Sequence, residues 1–239
     1  MVSTVIKNWD KENWLSSKSY ILNFNIFLTK VNKLNSSSKI LDIGCGRGKI
    51  IGSLSSKLKL INKPIGIDLI SHKDKDKRIS FKKTDALSFF LTNNKKFDLI
   101  LVKQTIHLLK ISEIKTLLIK MKKSLRPEGK ILIFTLDPYK NEIPCFTLMR
   151  SELLKSLNRD KKILRFISKF DPKRIIKYLS YKVEISKKKY ANMISRKFIS
   201  ILLDLNKEQI VTGLNEINFK YKKNLKFNDK LICIILKNN

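Results

Sequence analysis

Apolar residues follow two different spacings along the first half of the chain. Short, almost wholly apolar runs predict strands at residues 40–43, 65–69, 79–83, 97–102 and 131–136. Between them, apolar residues three and four apart predict helices at 49–60 and 112–125, the second capped by Ser112. Strands that alternate with helices predict a parallel sheet covered on both faces, which places the chain in the α/β class.

The two ends of the chain have a different pattern. Helical spacing is present at residues 9–32, 146–179, 187–205 and 207–221, with a short extended piece at 181–186. Two last strands, at 225–227 and 230–236, are predicted to form a hairpin that turns at Asn228–Asp229. This pattern predicts one domain, with a core of about 34–138 and 205–239 and a helical cap of about 1–33 and 139–204.

The segment "ILDIGCGRGKI", residues 40–50, places three of the chain's seven glycines at alternate positions after the first strand. Glycines in a turn between a strand and a helix allow a ligand to approach the backbone. The dinucleotide pattern Gly-x-Gly-x-x-Gly has Lys49 at its third position here, which disfavours a nicotinamide oxidoreductase. The segment therefore predicts a binding site for another ligand.

Carboxylates follow the same strands. Asp42 lies two residues before Gly44, and Asp68 ends the second strand twenty residues after Gly48, where it can accept hydrogen bonds from ribose hydroxyls. Asp85 follows the third strand, where it could contact an adenine amine, cap a helix at 86–91, or do both. Together these residues predict a nucleoside site at the carboxyl edge of the sheet.

Composition limits the compartment and the partners. The first residues lack the apolar core of a signal peptide, no stretch is long enough for a membrane span, and three cysteines lie far apart without metal-ligand spacing. A reduced cytoplasmic protein without a metal or membrane partner is expected. A net charge of +31 raises nucleic-acid binding as an alternative, but the lysines are scattered along the chain.

Five segments carry a family resemblance: "ILDIGCGRGKI", "IGIDL", "TDALSF", "FDLILVKQTIHLL" and "LRPEGKILIF". In this order, over residues 40–134, they resemble the class I S-adenosylmethionine-dependent methyltransferases. The resemblance implies a Rossmann-like, seven-stranded, mostly parallel sheet with an antiparallel last strand and S-adenosylmethionine as cofactor. The C-terminal region is similar to trans-aconitate-methyltransferase-like enzymes, although an expected tryptophan and a Gly-Thr pair are absent.

The resemblance also implies which residues bind the cofactor. They are Asp42, Gly44, Cys45, Gly46, Gly48, Asp68, Leu69, Asp85, Ala86, Lys103 and Gln104. The first turn would face the methionine part, Asp68 the ribose and Leu69 the adenine. Lys103 and Gln104, after the fourth strand, would border the methionine part.

The methyl acceptor is expected to be a small molecule, and the second resemblance suggests a carboxylate. A carboxylate needs no base, whereas a hydroxyl or amine must lose a proton, and His107 is the candidate base or a pocket-lining residue. Tyr20, Tyr190 and Arg196 are candidate substrate residues, with Arg196 suited to hold a carboxylate. His72 is expected to be exposed in the basic loop.

Two other functions remain open at this point. A nucleic-acid methyltransferase fits the +31 charge, but "VKQTIH" stands after the fourth strand where a base-methylating motif of the Asn/Asp-Pro-Pro-Tyr type would be expected. A cofactor-binding homologue without catalytic activity would keep the same glycines and carboxylates.

Overall fold

A computed structural model of the chain describes residues 13–238. The strands are β1 (Ile40–Ile43), β2 (Ile65–Asp68), β3 (Ser80–Lys83), β4 (Phe97–Lys103), β5 (Leu125–Leu136), β6 (Ile175–Ser186) and β7 (Asn224–Lys237). The α-helices are α1 (Lys18–Val31), α2 (Lys49–Leu58), α3 (Ala86–Thr92), α4 (Ile111–Lys123), α5 (Thr147–Phe170), α6 (Lys187–Ser195) and α7 (Lys207–Lys220). Short 3-10 helices lie at Trp14–Ser16, Ile106–Leu108 and Ser200–Leu202.

The strands form one seven-stranded sheet in the order β3-β2-β1-β4-β5-β7-β6. Neighbours among β1 to β5 pair in parallel, whereas β7 pairs antiparallel with both β5 and β6. Six strands therefore run in one direction and β7 runs against them. The predicted α/β, mostly parallel sheet with an antiparallel last strand is confirmed.

Two apolar clusters lie on opposite faces of the sheet. Along β4, Leu99 and Leu101 belong to the cluster under α1, α2, α6 and α7, whereas Ile100 and Val102 belong to the cluster under α3 and α4. Helix α5 contributes its first half to the former cluster and its second half to the latter. Successive residues of a strand point to opposite faces, so a central strand covered on both sides must be apolar throughout.

The predicted C-terminal hairpin is wrong. Residues 224–237 form one continuous strand, and Asn228 and Asp229 pair within it against Lys182 and Tyr181 of β6. Asn228 is also held by Glu142, which accepts its backbone N–H at 2.9 Å. The ladder to β6 outweighs the turn preference of the Asn–Asp pair, because tertiary pairing overrides a local signal of this size.

The predicted helix is wrong at residues 175–179, whereas the extended piece predicted at 181–186 is confirmed as the second half of β6. Helix α5 ends at Phe170, and β6 then joins the sheet as its edge strand instead of continuing the helix to residue 179. Asp171 precedes Pro172, and a residue before proline is driven out of the helical region, which explains the break. The predicted helix at 187–205 also ends early, at Ser195, and Lys197 has a left-handed φ of 52°. The remaining domain boundaries stay predictions.

Two predicted helix starts are displaced. Helix α1 begins at Lys18 after Ser17, whose side chain accepts from the backbone N–H of Tyr20 at 3.2 Å. Trp9, where the helix was predicted to begin, lies outside the described residues. Helix α4 begins at Ile111 rather than after Ser112, and Glu113 accepts from the backbone N–H of Lys110 at 2.6 Å.

Helix α7 determines where α5 begins. Gly213 lies against the ring of Phe146, the residue just before α5, and a Cβ at Gly213 would lie 2.5 Å from that ring. One turn later, Glu216 accepts from both the backbone N–H and the hydroxyl of Thr147, at 2.8 and 2.7 Å. The glycine is therefore required by packing between two helices.

We expect Gly213→Ala to destabilise the protein, although alanine is the better helix former by about 1 kcal/mol. The rigid, buried ring of Phe146 cannot move aside as the end of a flexible chain can, and overpacking of this kind costs about 1–3 kcal/mol. The free energy of unfolding in urea should fall for Gly213→Ala. The control is Asn215→Ala, an exposed position of the same helix, which should be unchanged or slightly more stable. Equal stability of the two variants would contradict the packing argument.

Candidate active site

The turn between β1 and α2 is built on three left-handed glycines. Gly44, Gly46 and Gly48 have φ values of 72°, 54° and 69°, a region that other residues rarely adopt. The backbone N–H groups of Gly44 and Cys45 both donate to the carbonyl of Ile67, at 2.9 and 3.0 Å. The turn is thereby fixed to the end of β2.

Two of the glycines are also required by their neighbours. A Cβ at Gly44 would lie 2.1 Å from Oγ1 of Thr105, just beyond β4, and one at Gly48 would lie 2.2 Å from Cδ1 of Ile79. The sequence assigned all three glycines to a ligand alone. The structure shows that the turn is also a point where chain segments after β1 and β4 touch.

Asp68 is joined directly to the glycine turn. Its Oδ2 accepts from the backbone N–H of Gly46 at 2.8 Å, and its Oδ1 accepts from the N–H of Ile70 at 3.0 Å. Leu69, beside it, is 63% exposed, a large apolar side chain available to a flat apolar partner. Cys45 of the same turn packs against Gly66, and burial raises the pKa of its thiol, so it is not a reactive thiolate.

The segment after β2 folds back over the turn through Arg47. Arg47 is buried, its Nε donates to both carboxylate oxygens of Asp74 at 2.8 Å, and its carbonyl accepts from the N–H of Asp76 at 2.8 Å. His72 is buried here, so the prediction that it is exposed is wrong. Burial and the charge of Arg47 lower the pKa of His72. Sequence reasoning missed Arg47, although the acidic residues of "KDKDKR" were a signal that a cation had to meet them.

Asp42 and Lys103 lie on one face of neighbouring strands. Asp42 pairs in register with Leu101, two residues before Lys103, and alternate residues of a strand share a face. Asp42 is buried, and burial raises the pKa of its carboxyl to about 7. Lys103 lowers that pKa and Asp68 raises it further. A buried carboxyl in this condition is a good ligand for a cation.

Lys103 is enclosed by aromatic rings of α1. Its Nζ lies 5.4 Å from the ring centroid of Tyr20 and 5.8 Å from that of Phe24, within cation–π distance. Burial lowers the pKa of Lys103 to about 8, while Asp229 and Asp42 raise it. The sequence placed Lys103 beside the cofactor but did not identify it as a titratable group near neutral pH.

Asp229 of β7 brings a second buried carboxyl to this face. Its Oδ2 accepts from Nε1 of Trp14 at 2.9 Å, and burial raises its pKa, against the opposite effects of Trp14 and Lys103. Tyr20 is buried beside it, and among the described residues no atom forms a hydrogen bond with its hydroxyl. Burial and Asp229 raise the pKa of Tyr20. Asp229 was missed because the sequence placed it in a turn.

The connection after β4 positions His107. Gln104 has a left-handed φ of 51° and donates its N–H to the carbonyl of Phe134 at 2.8 Å, which turns the chain sharply. His107 follows in the 3-10 helix, half-buried. Burial lowers its pKa to about 4, and Arg159 of α5 lowers it further. A group with so low a pKa is a weak proton acceptor at neutral pH.

The other candidate residues are spread around the site. Asp85 is exposed and caps α3 by accepting from the N–H of Ser88 at 2.9 Å, which confirms its predicted capping role, with Ala86 next to it. Tyr190 is buried, packs edge-on against Phe198 and donates its hydroxyl to a backbone carbonyl, that of Pro144. Arg196 ends α6 and is exposed. The substrate roles of Tyr190 and Arg196 stay predictions.

Metal-binding clusters and membrane-spanning helices are absent from the part of the chain that the structure describes. Within residues 13–238, His, Cys, Asp and Glu side chains form no group of three or more that could hold a metal ion. No helix in the same range combines the length and apolar character required to cross a membrane.

Comparison with known proteins identifies the fold. A methyltransferase described as part of an antibiotic biosynthesis pathway, from Anabaena variabilis, matches 89% of this chain and 96% of its own with a TM-score of 0.63 and 14% identity. An S-adenosylmethionine-dependent methyltransferase from Geobacter sulfurreducens, in complex with S-adenosylhomocysteine, matches 97% and 96% with a TM-score of 0.58 and 14% identity. Precorrin-6y C5,15-methyltransferase from Geobacter metallireducens matches 94% and 90% with a TM-score of 0.51 and 9% identity. At these identities the likeness shows the fold.

A family model matches part of the sequence. Residues 40–129, which run from β1 into β5, match the family model of the methyltransferase domain. No curated protein matches the chain. The domain match and the seven-stranded fold support a class I S-adenosylmethionine-dependent methyltransferase.

The raised pKa of Asp42 predicts a pH-dependent stability. Its carboxyl titrates near 3.9 when unfolded and at about 7 when folded, so folding becomes less favourable as pH rises between these values. Asp42→Asn removes this effect. We expect the variant to be about as stable as the parent at pH 4 and more stable at pH 8 by up to about 4 kcal/mol.

Urea unfolding of both proteins at pH 4, 6 and 8 checks this expectation. The control is Asp204→Asn, which makes the same substitution at an exposed position. A stability difference for Asp42→Asn that is constant from pH 4 to 8 would show that Asp42 is not a desolvated carboxyl.

Proposed function

We propose that the protein transfers a methyl group from S-adenosylmethionine to a small molecule and that the cofactor binds at the glycine turn. Asp42, Gly44 and Gly46 would hold the methionine part, Asp68 the ribose, and the exposed side chain of Leu69 the adenine. The observation that carries this proposal is the contact between Asp68 and the N–H of Gly46 at 2.8 Å, which brings the two predicted halves of the cofactor site together.

The residues fit this cofactor chemically. S-adenosylmethionine carries a positive amino group, and Asp42 is a buried carboxyl whose raised pKa shows that it lacks sufficient positive charge around it. The left-handed glycines place no side chain over the turn, so a ligand can approach its backbone, while the N–H groups of Gly44, Gly46 and Gly48 are already bonded within the protein. Asp85, Ala86 and Gln104 border the same turns, and their part in cofactor binding is included in the proposal.

A small acceptor is favoured by the enclosure of the site. The face beside Asp42 and Lys103 is covered by the buried aromatic side chains of Trp14, Tyr20 and Phe24. The matching proteins named for an antibiotic pathway and for precorrin-6y support the same substrate class.

If the methyl acceptor is a carboxylate, two cationic side chains of the protein are candidates to bind it. Arg196, predicted to hold the carboxylate, is exposed at the end of α6, whereas Lys103 is enclosed beside the glycine turn. If a carboxylate is the acceptor, the buried lysine is the better placed cation, because a charge pair shielded from water is stronger.

Nucleic-acid methylation is the second candidate, supported by the net charge of +31. A surface cavity of about 280 Å³ is lined by Lys95, Lys96, Lys120 and Lys123. It lies before the start of β4 and at the end of α4, at the opposite edge of the sheet from the glycine turn. A phosphate bound there would therefore be remote from the proposed cofactor site.

We expect Asp68→Asn to weaken S-adenosylmethionine binding, because the ribose would lose a charged acceptor. Hydrogen bonds to charged groups contribute about 1.5–3 kcal/mol, which corresponds to a tenfold to hundredfold higher Kd. Calorimetric titration measures this change. Asp204→Asn is the control, since Asp204 is exposed at the other end of the chain and should leave Kd unchanged. Tight binding of NAD by the parent, or unchanged Kd in Asp68→Asn, would contradict the assigned site.

The acceptor class can be tested without knowing the acceptor. Methyl-labelled S-adenosylmethionine is incubated with the protein and with two fractions of a cell extract, one of small metabolites and one of RNA and DNA. We expect label in the metabolite fraction, with transfer that changes less than about tenfold between 50 and 200 mM salt because enclosed charges are screened little. Binding through six or more phosphate contacts would instead weaken about a thousandfold over that range. Label confined to nucleic acid would overturn the small-molecule proposal.

A further inference from the structure

Lys103 is a half-buried residue at the carboxyl edge of β4, and its ammonium group is withdrawn from water. It ends that strand, and its ammonium group lies under the rings of Tyr20 and Phe24, which are both almost fully buried. A lysine removed from water in this way holds its proton only if nearby charges compensate for the lost hydration.

The groups that face Lys103 come from several elements. Asp42 of β1 and Asp229 of β7 act on it electrostatically, and the hydroxyl of Tyr20 on α1 lies near Asp229. Beyond these, Asp68 of β2 acts on Asp42, and Tyr181 of β6 acts on Tyr20. Two carboxyls thus share one ammonium group, so a change at either carboxyl changes how firmly Lys103 holds its proton.

The backbone fixes Lys103 relative to the glycine turn. Gln104 follows in a left-handed conformation and is anchored to the carbonyl of Phe134, and Thr105 is packed directly against Gly44. A non-glycine residue held at positive φ is a strained position that the surrounding contacts must maintain. Lys103 is therefore held at a set position beside the proposed cofactor site.

We propose that Lys103 gives up its proton when S-adenosylmethionine binds and then serves as the base that takes the proton of the methyl acceptor. This inference rests on the proposed function. The cofactor brings a positive amino group and a positive sulfonium to a face where Lys103 is already positive. Once Asp42 pairs with the amino group, its attraction on Lys103 is offset, and the neutral amine becomes the favoured form.

The chemistry identifies the class of acceptor. An oxygen or nitrogen of the acceptor forms a bond to the methyl carbon, the methyl–sulfur bond breaks with its electron pair left on sulfur, and the acceptor's proton passes to Nζ of Lys103. An acceptor that benefits from this base must carry a proton at neutral pH, as a phenol, an alcohol or an amine does. A carboxylate would instead require Lys103 to remain an ammonium group.

Tyr20 offers a second contact for such an acceptor. Its hydroxyl is buried beside Asp229, and within the described residues it forms no hydrogen bond. A buried hydroxyl in this condition is available to a polar ligand atom. Tyr20 would then hold the acceptor's oxygen or nitrogen near Nζ of Lys103.

Calorimetry measures the proposed proton release directly. Titration with S-adenosylmethionine at pH 8 in phosphate, HEPES and Tris, buffers of different ionisation enthalpy, gives the number of protons released on binding. We expect about half a proton from Lys103, since a group is half protonated at its pKa, here about 8. S-adenosylhomocysteine, which lacks the sulfonium charge, should release fewer protons.

The variants separate Lys103 from other sources of protons. Lys103→Met and Lys103→Arg should both lose this release, the first because it has no proton and the second because arginine keeps its proton. Lys130→Met is the matched control, because Lys130 lies on the next strand with its Nζ bonded to the carbonyl of Val31. It should release as many protons as the parent. The arginine variant preserves the buried charge, so it provides the comparison even if Lys103→Met folds poorly.

The outcomes distinguish this inference from the proposed function. If the parent and Lys103→Arg bind S-adenosylmethionine and release the same number of protons, Lys103 is not the group that ionises, and the inference is overturned while the cofactor site stands. If the parent does not bind the cofactor at all, the proposed function fails and the inference fails with it. Release in the parent that is lost in both Lys103 variants supports the inference.

Discussion

The burial of charge at the carboxyl edge of the sheet constrains the rest of this structure. Asp42, Lys103 and Asp229 lie on one face, covered by α1, although most of that face is packed with apolar side chains. An isolated charge in such surroundings is too costly to keep, so each of the three groups depends on the other two. Trp14 adds a hydrogen bond to Asp229 and thereby joins the N-terminal segment to this cluster.

This dependence explains why the parts of the site are connected as they are. The glycine turn is tied to β2 through Ile67 and Asp68, and to the connection after β4 through Thr105. Those connections place Asp42, Asp68 and Lys103 beside one another with little freedom to separate. A ligand that changes the charge near one of these groups must therefore change the protonation of the others, since coupled sites titrate together.

The sheet of the first half could be predicted because its signals are local. Each of β1, β2 and β4 is a short apolar run, and Gly48 and Asp85 mark the helix starts that follow. The end of α5 also had a local signal, Pro172, that was outweighed by continuing helical spacing. The strand through Asn228–Asp229 had no local signal, because its pairing with Lys182 and Tyr181 comes from residues almost fifty positions away.

The candidate site was predictable in the same uneven way. Asp42 and the glycines lie together at the end of the first apolar strand, and Asp68 ends the second. Their positions could therefore be predicted from short segments of sequence. Arg47, Asp229 and the basic role of Lys103 depend on which side chains meet across the sheet, and charge–charge proximity of that kind leaves no fixed spacing in a sequence. Lys103 could have been recognised from the sequence, because it is a charged residue at the end of the apolar strand "FDLILVK".

The net charge of +31 favours a nucleic-acid partner, whereas the carboxyls of the site favour a cationic ligand. The distance between the surface lysines and the site determines how strongly the net charge acts there. At physiological ionic strength charges are screened over about 8 Å, so lysines scattered over the surface act weakly at an enclosed site. Inside, Asp68 acts on Asp42, and both Asp42 and Asp229 act on Lys103, without that screening. A cationic cofactor therefore meets a locally acidic face in a basic protein. That face is enclosed by α1, so the surface charge can attract nucleic acid without making it the methyl acceptor.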